Sequence, residues 1–264
     1  MAVRPITVIT GASAGLGVEL ARVFARNGHE LALVARREER LNALADEIAS
    51  TGRMRPIVIV AELGDDPARK IREALAAQGA EPQFIVNNAG FGLVGEAAQL
   101  DVNEQLEMID LNVRSLTELS LAFVDSLSRH KGGLLNVGSV AGFLPGPGMA
   151  TYYATKAYVL SFSEALHSEF KKHGIRVCVL CPGPVPTEFA ARAGIKTSMA
   201  PPLLNRSAAY VAEQGYRGFM QGHRVVIPGM PNRLAAILAR VAPRRFLLAA
   251  VDARQTRRRS AQRK

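Results

Sequence analysis

Seven short runs rich in Val, Ile and Leu alternate with longer stretches of helical periodicity along most of this chain. The spacing predicts strands at Ile6–Thr10, Leu31–Ala35, Pro56–Ala61, Phe84–Asn87, Gly133–Val137, Ile175–Leu180 and Arg224–Ile227. It predicts helices over Gly15–Asn27, Glu38–Ser50, Pro67–Gln78, Asn103–Leu127, Thr155–Lys172 and Ser207–Met220. A strand that is apolar at successive positions has no wet face and must be covered on both sides. Strand–helix alternation then gives parallel strands joined by right-handed crossovers. The expected fold is a doubly wound, three-layer α/β sandwich around a seven-stranded parallel sheet, with ligands at the carboxyl ends of the strands. At 264 residues the chain suits one such domain, residues 1–229, followed by a basic helical extension, residues 230–264.

The first strand starts almost at once, which leaves no room for a signal peptide, and no run of about 18 apolar residues offers a membrane span. The expectation is a cytoplasmic protein. The net charge of +10 sits almost wholly in the tail: from Arg233 onward there are ten basic residues and one acid, Asp252. Positive charge confined to a tail, rather than spread over a folded face, argues against a nucleic-acid partner. Cys178 and Cys181 form a C-x-x-C, but within an apolar β-branched run. Residues three apart on a strand point to opposite faces, so packing is expected and not redox chemistry. No pair among His29, His130, His167, His173 and His223 has ligand spacing, and no catalytic metal is expected.

The first run leads directly into Thr10-Gly-Ala-Ser-Ala-Gly-Leu-Gly17. Gly11, Gly15 and Gly17, with Ser13 and Leu16 between them, open the first helix. Glycines there permit a tight turn and close backbone approach, and the helix N-terminus offers free N–H groups to a pyrophosphate. The second run ends Ala35-Arg36-Arg37-Glu38-Glu39. An acid near this point holds ribose hydroxyls in NAD sites, whereas an arginine accommodates a 2′-phosphate. Cations at a helix start oppose its dipole, so Arg36 and Arg37 suggest an anionic ligand, and NADP(H) is the expected cofactor.

Ser139 follows the fifth run, and thirteen residues later comes Tyr152-Tyr153-Ala154-Thr155-Lys156. Residues four apart share a helix face, so Tyr152 and Lys156 can project into one cleft. A nearby ammonium favours the phenolate and turns a poor acid/base into a usable one. Tyr153 stands three residues from Lys156, and helical spacing alone leaves it as a rival.

Taken together, Thr10–Gly17, Asn87-Asn88-Ala89-Gly90, Asn112, Ser139, Tyr152-x3-Lys156 and Pro182-Gly183-Pro-Val185-Pro-Thr187 resemble the short-chain dehydrogenase/reductase family over roughly residues 5–190. The resemblance implies a Rossmann-type dinucleotide fold and a homo-oligomer, dimer or tetramer. It makes Tyr152 the general acid/base and chooses it over Tyr153. It gives Lys156 the nicotinamide ribose and the lowering of the tyrosine pKa, Ser139 the substrate oxygen, and Asn112 a proton-relay water. Asn88, Ala89 and Gly90 would line the adenosine-ribose side, and Pro182, Val185 and Thr187 the carboxamide. The family's usual Asp near the adenine is replaced by Glu62, beside Leu63, and the basic residue that some NADP enzymes carry before the second glycine is replaced by Ala14. Cofactor preference then rests on Arg36 and Arg37.

For the substrate, Phe91, Phe143, Leu144, Met149, Phe189, Ile195 and Met199 outnumber the charges Arg192 and Lys196, which favours a hydrophobic, uncharged carbonyl or alcohol. Residues 183–202 read as a lid loop with a short helix. In the tail, Leu234, Ile237, Leu238 and Val241 recur at helical spacing among arginines. Three readings stand: packing on the body or across a subunit interface, a cationic amphipathic contact with an anionic membrane, and nucleic acid. A non-catalytic relative or an epimerase on the same scaffold is the competing function; nothing structural demands the Asn–Ser–Tyr–Lys set.

Overall fold

The computed structural model describes residues 3–189, 202–245, 247–249 and 251. Its centre is one parallel sheet of seven strands: β1 (Arg4–Thr10), β2 (Leu31–Ala35), β3 (Ile57–Val60), β4 (Ala80–Asn87), β5 (Gly133–Val137), β6 (Arg176–Leu180) and β7 (Val225–Val226). Their order is β3-β2-β1-β4-β5-β6-β7, so the chain changes winding direction between β1 and β4. At that point the connections leave to opposite sides and open a crevice at the carboxyl ends of the strands.

Both sheet faces are dry. On one, α1 (Gly15–Arg26), α2 (Glu38–Ser50) and α8 (Ala208–Met220) bury Phe24, Leu41 and Phe219 against Ile9, Leu33 and Val86. On the other, α3 (Pro67–Ala76), α5 (Leu116–Leu121), α6 (Val124–Arg129) and α7 (Ala150–Glu169) bury Ile71, Leu119, Leu127 and Leu166 against Val8, Val34 and Ile85. Fully burying a side chain such as Phe24 contributes about 2–3 kcal/mol. Cys178 faces the first cluster and Cys181 a smaller one around Val159 and Val179, and both thiols are free.

Two helix expectations differ from the structure. The stretch Asn103–Leu127 is not one helix. It begins as α4 (Val102–Ile109), widens into a π-helical turn at Asp110–Ser115, resumes as α5, and is interrupted again before α6. The widened turn frees backbone groups, and the Ser115 hydroxyl donates to the Asp110 carbonyl at 2.9 Å and also to that of Leu63. Such π insertions concentrate at functional sites. The helix predicted from Thr155 starts earlier, at Ala150, which places Tyr152 within its first turn. The last strand is two residues long, and α9 (Met230–Val241) follows within four residues.

Candidate active site

The glycine loop is held by one hydroxyl. Thr10 Oγ1 donates to the Val86 carbonyl at 3.2 Å and accepts from the N–H groups of Asn88 and Ala89 at 3.0 and 3.1 Å. Asn88 Nδ2 in turn donates to the carbonyls of Thr10 and Gly11, at 2.9 and 3.3 Å. This fastens the loop after β1 to the loop after β4 across the sheet switch. Gly11 has φ 66°, and a Cβ there would sit 2.9 Å from Ala89 Cα. Gly17 packs behind the loop, where a Cβ would overlap the Gly11 carbonyl oxygen.

Helix α1 that this loop opens has Ala14 at its N-cap, no side-chain cap and no acid in its first turn. By contrast, Asp66, Asp101 and Ser207 cap α3, α4 and α8 with their own side chains. An uncapped helix start behind a cradle that tolerates no Cβ fits a dinucleotide pyrophosphate. The cleft in front of it measures about 1030 Å³, enough for a dinucleotide and a small second molecule.

Gly11, Ser13, Gly15, Leu16, Arg36, Glu62, Leu63, Asn88, Ala89, Gly90, Ser139, Tyr152, Lys156, Pro182, Val185 and Thr187 all line that cleft. Gly17 and Asn112 do not. At one end, Arg37 Nε and Nη2 each donate to Ser13 Oγ at 3.2 Å, while Nη1 reaches Glu188 at 2.9 Å. Arg36 pairs with Glu62 at 3.5 Å, both well exposed. Glu62 thus faces a guanidinium at the cleft edge, and two arginines and a hydroxyl gather beside the phosphate cradle.

At the other end, Ser139 caps a 3-10 turn (Val140–Phe143), accepting from Ala141 N–H at 3.1 Å, and its side chain favours the ionised form of the Tyr152 phenol. Lys156 is buried, its Nζ donates to the Val137 carbonyl at 2.8 Å, and it lies 6.0 Å from the Tyr152 ring centre. Burial pushes the Lys156 ammonium down to about 8. Burial also pushes the Tyr152 phenol well above its ordinary value, against the lowering by Ser139. Here the structure differs from the expected lysine-lowered phenol. Loss of water at Tyr152 outweighs the lowering by Ser139 and keeps the phenol protonated. Tyr153 turns its ring onto Gly146, where a Cβ would overlap it.

Asn112 lies behind the cleft. Its Oδ1 accepts from Phe91 N–H at 3.1 Å, and its Nδ2 donates to the Phe91 carbonyl at 2.9 Å and to Thr155 Oγ1 at 3.1 Å. With donor and acceptor so engaged, the side chain ties the loop after β4 to the helix bearing Tyr152. Phe91, Leu144, Met149 and Phe189 line the cleft as expected, but Phe143 does not. It packs with Leu116 and Val159 and lies under the Arg240 guanidinium at 5.0 Å. Arg192, Ile195, Lys196 and Met199 lie outside the described residues.

Sequence reasoning missed Glu188, Asn232, Ala235, Ala236 and Val251, all on the cleft wall. Asn232 is buried and donates to the carbonyls of Leu204 and Pro228, at 3.1 and 3.0 Å. A lone Asn between a proline and an arginine carries no periodic signal.

Comparison with known proteins points the same way. Residues 5–197 match the family described as short chain dehydrogenase. The chain is 37% identical over 188 residues to sulfoacetaldehyde reductase 2 of Chromohalobacter salexigens, covering 70% of this chain and 74% of that protein. It is 37% identical over 192 residues to the NADP-dependent 3-hydroxy acid dehydrogenase of Salmonella typhi, covering 70% and 75%. Among solved structures, the short-chain dehydrogenase from Sphingobium yanoikuyae in complex with NADPH superposes with a TM-score of 0.79 at 33% identity, covering 88% of this chain and 91% of that one.

Proposed function

The chain belongs to the short-chain dehydrogenase/reductase family, and from that premise we propose an NADP(H)-dependent oxidoreductase acting on a hydrophobic, uncharged carbonyl or alcohol. The observation that carries this is a buried Tyr152 and a buried Lys156 ammonium that line one cleft with Ser139, a cleft whose other end is a glycine cradle edged by arginines. The cofactor, when bound, supplies or accepts the hydride.

In the reducing direction Ser139 orients the substrate oxygen by a hydrogen bond, and the Tyr152 O–H gives that oxygen its proton as the carbonyl carbon takes the hydride. A phenol held protonated by burial suits this direction. Lys156 stabilises negative charge left on the phenol and offers hydrogen bonds to the cofactor's ribose. Asn112 and Thr155 act by position: they lock α7 to the loop after β4, so that the three reacting side chains keep their geometry. Gly11, Gly15 and Leu16 would cradle the pyrophosphate with Gly17 packed behind them, Ser13, Arg36 and Arg37 would hold the 2′-phosphate, and Glu62 and Leu63 would border the adenine. Asn88, Ala89 and Gly90 back the adenosine side, while Pro182, Val185 and Thr187 bracket the nicotinamide.

The two relatives named above are by name a sulfoacetaldehyde reductase and a 3-hydroxy acid dehydrogenase, whereas the described wall near Tyr152 includes Phe91, Leu144, Met149, Tyr153 and Phe189. That wall supports the hydrophobic reading. A panel of aryl and alkyl ketones against oxo acids, followed at the nicotinamide absorbance, tests it; faster turnover of the oxo acids reverses it.

Two further results are expected. Arg36→Ala and Arg37→Ala each remove charge-assisted hydrogen bonds to a phosphate, a loss of about 1.5–3 kcal/mol or about ten- to a hundredfold in NADPH affinity. NADH titration should change little, and equal losses for both cofactors would remove the 2′-phosphate assignment. The second concerns pH. Lys156, lowered to about 8, keeps its charge below that pH and loses it above, while Tyr152 stays protonated throughout. The reductive kcat/KM should hold level at lower pH and decline through about pH 8 with the loss of one proton. A profile that stays flat into the alkaline range contradicts this role.

For assembly, we infer a homo-oligomer: Val102, Leu106, Ile109 on α4, Leu121 on α5 and Tyr158 on α7 are large, apolar and exposed. No helix among the described residues is long and apolar enough to cross a membrane. Sizing by light scattering checks the first point.

A further inference from the structure

Helix α9 is mounted the wrong way round for a helix facing water. Its small face is the buried one, through Asn232, Ala236 and Ala239. Its large side chains point outward: Met230, Leu234, Ile237, Leu238 and Val241 are 50% to 74% exposed. At 3.6 residues per turn these five fall within roughly a third of the circumference, opposite the buried side. Arg233 and Arg240 run along one edge of the stripe, and Arg244 and Arg245 follow its end. No acidic residue occurs between Gly229 and Val251.

What covers the stripe is constrained by sequence and charge. The chain after Val251 contains no Val, Leu, Ile, Met or Phe, so it has no large apolar side chains with which to cover it. A second copy docked stripe to stripe about a two-fold axis would set the arginines flanking each helix beside a partner segment with no acid to pair with, because the two faces are identical. Like charges placed together across an interface oppose association. A surface rich in phosphate answers both features, taking the apolar stripe into its acyl boundary and the guanidinium groups at its headgroups.

We propose that α9 is a docking face for an anionic lipid bilayer, lying in the plane of its surface. At twelve residues it is too short to span one. The Arg240 guanidinium is itself held to the body, over Phe143 and 3.4 Å from Glu164, so it braces the helix while the stripe stays outward and leaves headgroup contact to Arg233 and the arginines that follow. Ala235, Ala236 and Val251 belong to the cleft wall, so docking sets the substrate end of the cleft beside the lipid. The docking claim stands apart from the assigned reaction and is read without it.

The test is co-sedimentation of the full chain with phosphatidylcholine vesicles, with and without phosphatidylglycerol. With a contribution near a factor of five for each basic residue close to an anionic surface, the bound fraction should rise at least about tenfold on phosphatidylglycerol and fall with salt. The pair Leu234→Glu/Ile237→Glu, and separately Leu238→Gln, should cut vesicle binding about tenfold or more while keeping the wild-type melting temperature and NADPH turnover in solution. Equal binding to both vesicle types overturns the proposal. So does a folded stripe variant that sediments like wild type, or one that splits a dimer on a sizing column while wild type ignores vesicles. Loss of turnover in every form, with binding intact, would count against the assigned reaction and leave docking standing.

Discussion

Replacing Tyr152 by phenylalanine is expected to lower kcat about a thousand-fold or more, within the range that a positioned acid/base supplies. The phenol hydroxyl is the proton source at the buried end of the cleft, which it lines with Ser139, and it is held protonated by its loss of water. Phenylalanine fills the same space against Phe189, whose ring centre is 5.5 Å away, so the wall keeps its shape. The dinucleotide cradle lies on the opposite side of the switch point and is untouched. NADPH affinity should therefore stay near wild type, the signature of an interaction used in the transition state and little in the ground state. Tyr153→Phe is the matched comparison. Its ring lies on Gly146, 6.1 Å from that of Tyr152, and its loss should change kcat only about twofold by the same argument. If the thousand-fold loss instead followed Tyr153, the acid would sit one residue further along α7. Titration of NADPH fluorescence and single-turnover kinetics on both variants decide between them.

Much of this arrangement is legible in the sequence because it follows from period and chemistry. The seven apolar runs became seven parallel strands, since an unbroken Val/Ile/Leu strand has to be covered twice. Tyr152 and Lys156 share a face because both lie in one helix. What the sequence hides is what depends on departures from period. The π-helical turn at Asp110–Ser115 rotates Asn112 inward, and a pattern read at 3.6 residues per turn sees one continuous helix there. The direction of the Tyr152 shift hides for another reason: it depends on how much water the fold removes, which a Tyr-x3-Lys spacing does not encode. Phe143 reads as a pocket residue by its place after Ser139, yet the 3-10 turn carries it past the cleft and under Arg240. The tail is the largest instance. Its Leu/Ile spacing marks an apolar face but not what covers it, and the structure pins the helix to the body through Asn232 on the opposite side.

Gly17→Ala is the second large effect, and it separates crowding from ordinary helix preference. In an exposed helix alanine is favoured over glycine by about 1 kcal/mol. At Gly17 the added Cβ would overlap the Gly11 carbonyl oxygen and stand 2.6 Å from Asn88 Nδ2. Neither neighbour is free to yield. Gly11 sits in a loop pinned through Thr10 Oγ1 to Val86, Asn88 and Ala89, and Asn88 Nδ2 is already bonded to the carbonyls of Thr10 and Gly11. The helix start has to move off the loop, at an overpacking cost of about 1–3 kcal/mol that exceeds the helix gain. That movement withdraws the uncapped N–H groups of α1 from the phosphates, where losing hydrogen bonds to a charged group costs about 1.5–3 kcal/mol, up to about a hundredfold in affinity. The expected result is a lower melting temperature together with NADPH binding weakened about a hundredfold, measured well below the transition so that only folded protein is titrated. A variant that melts early but binds NADPH like wild type would show that α1 can shift without disturbing the cradle, and the pyrophosphate would then have to be held elsewhere along the cleft.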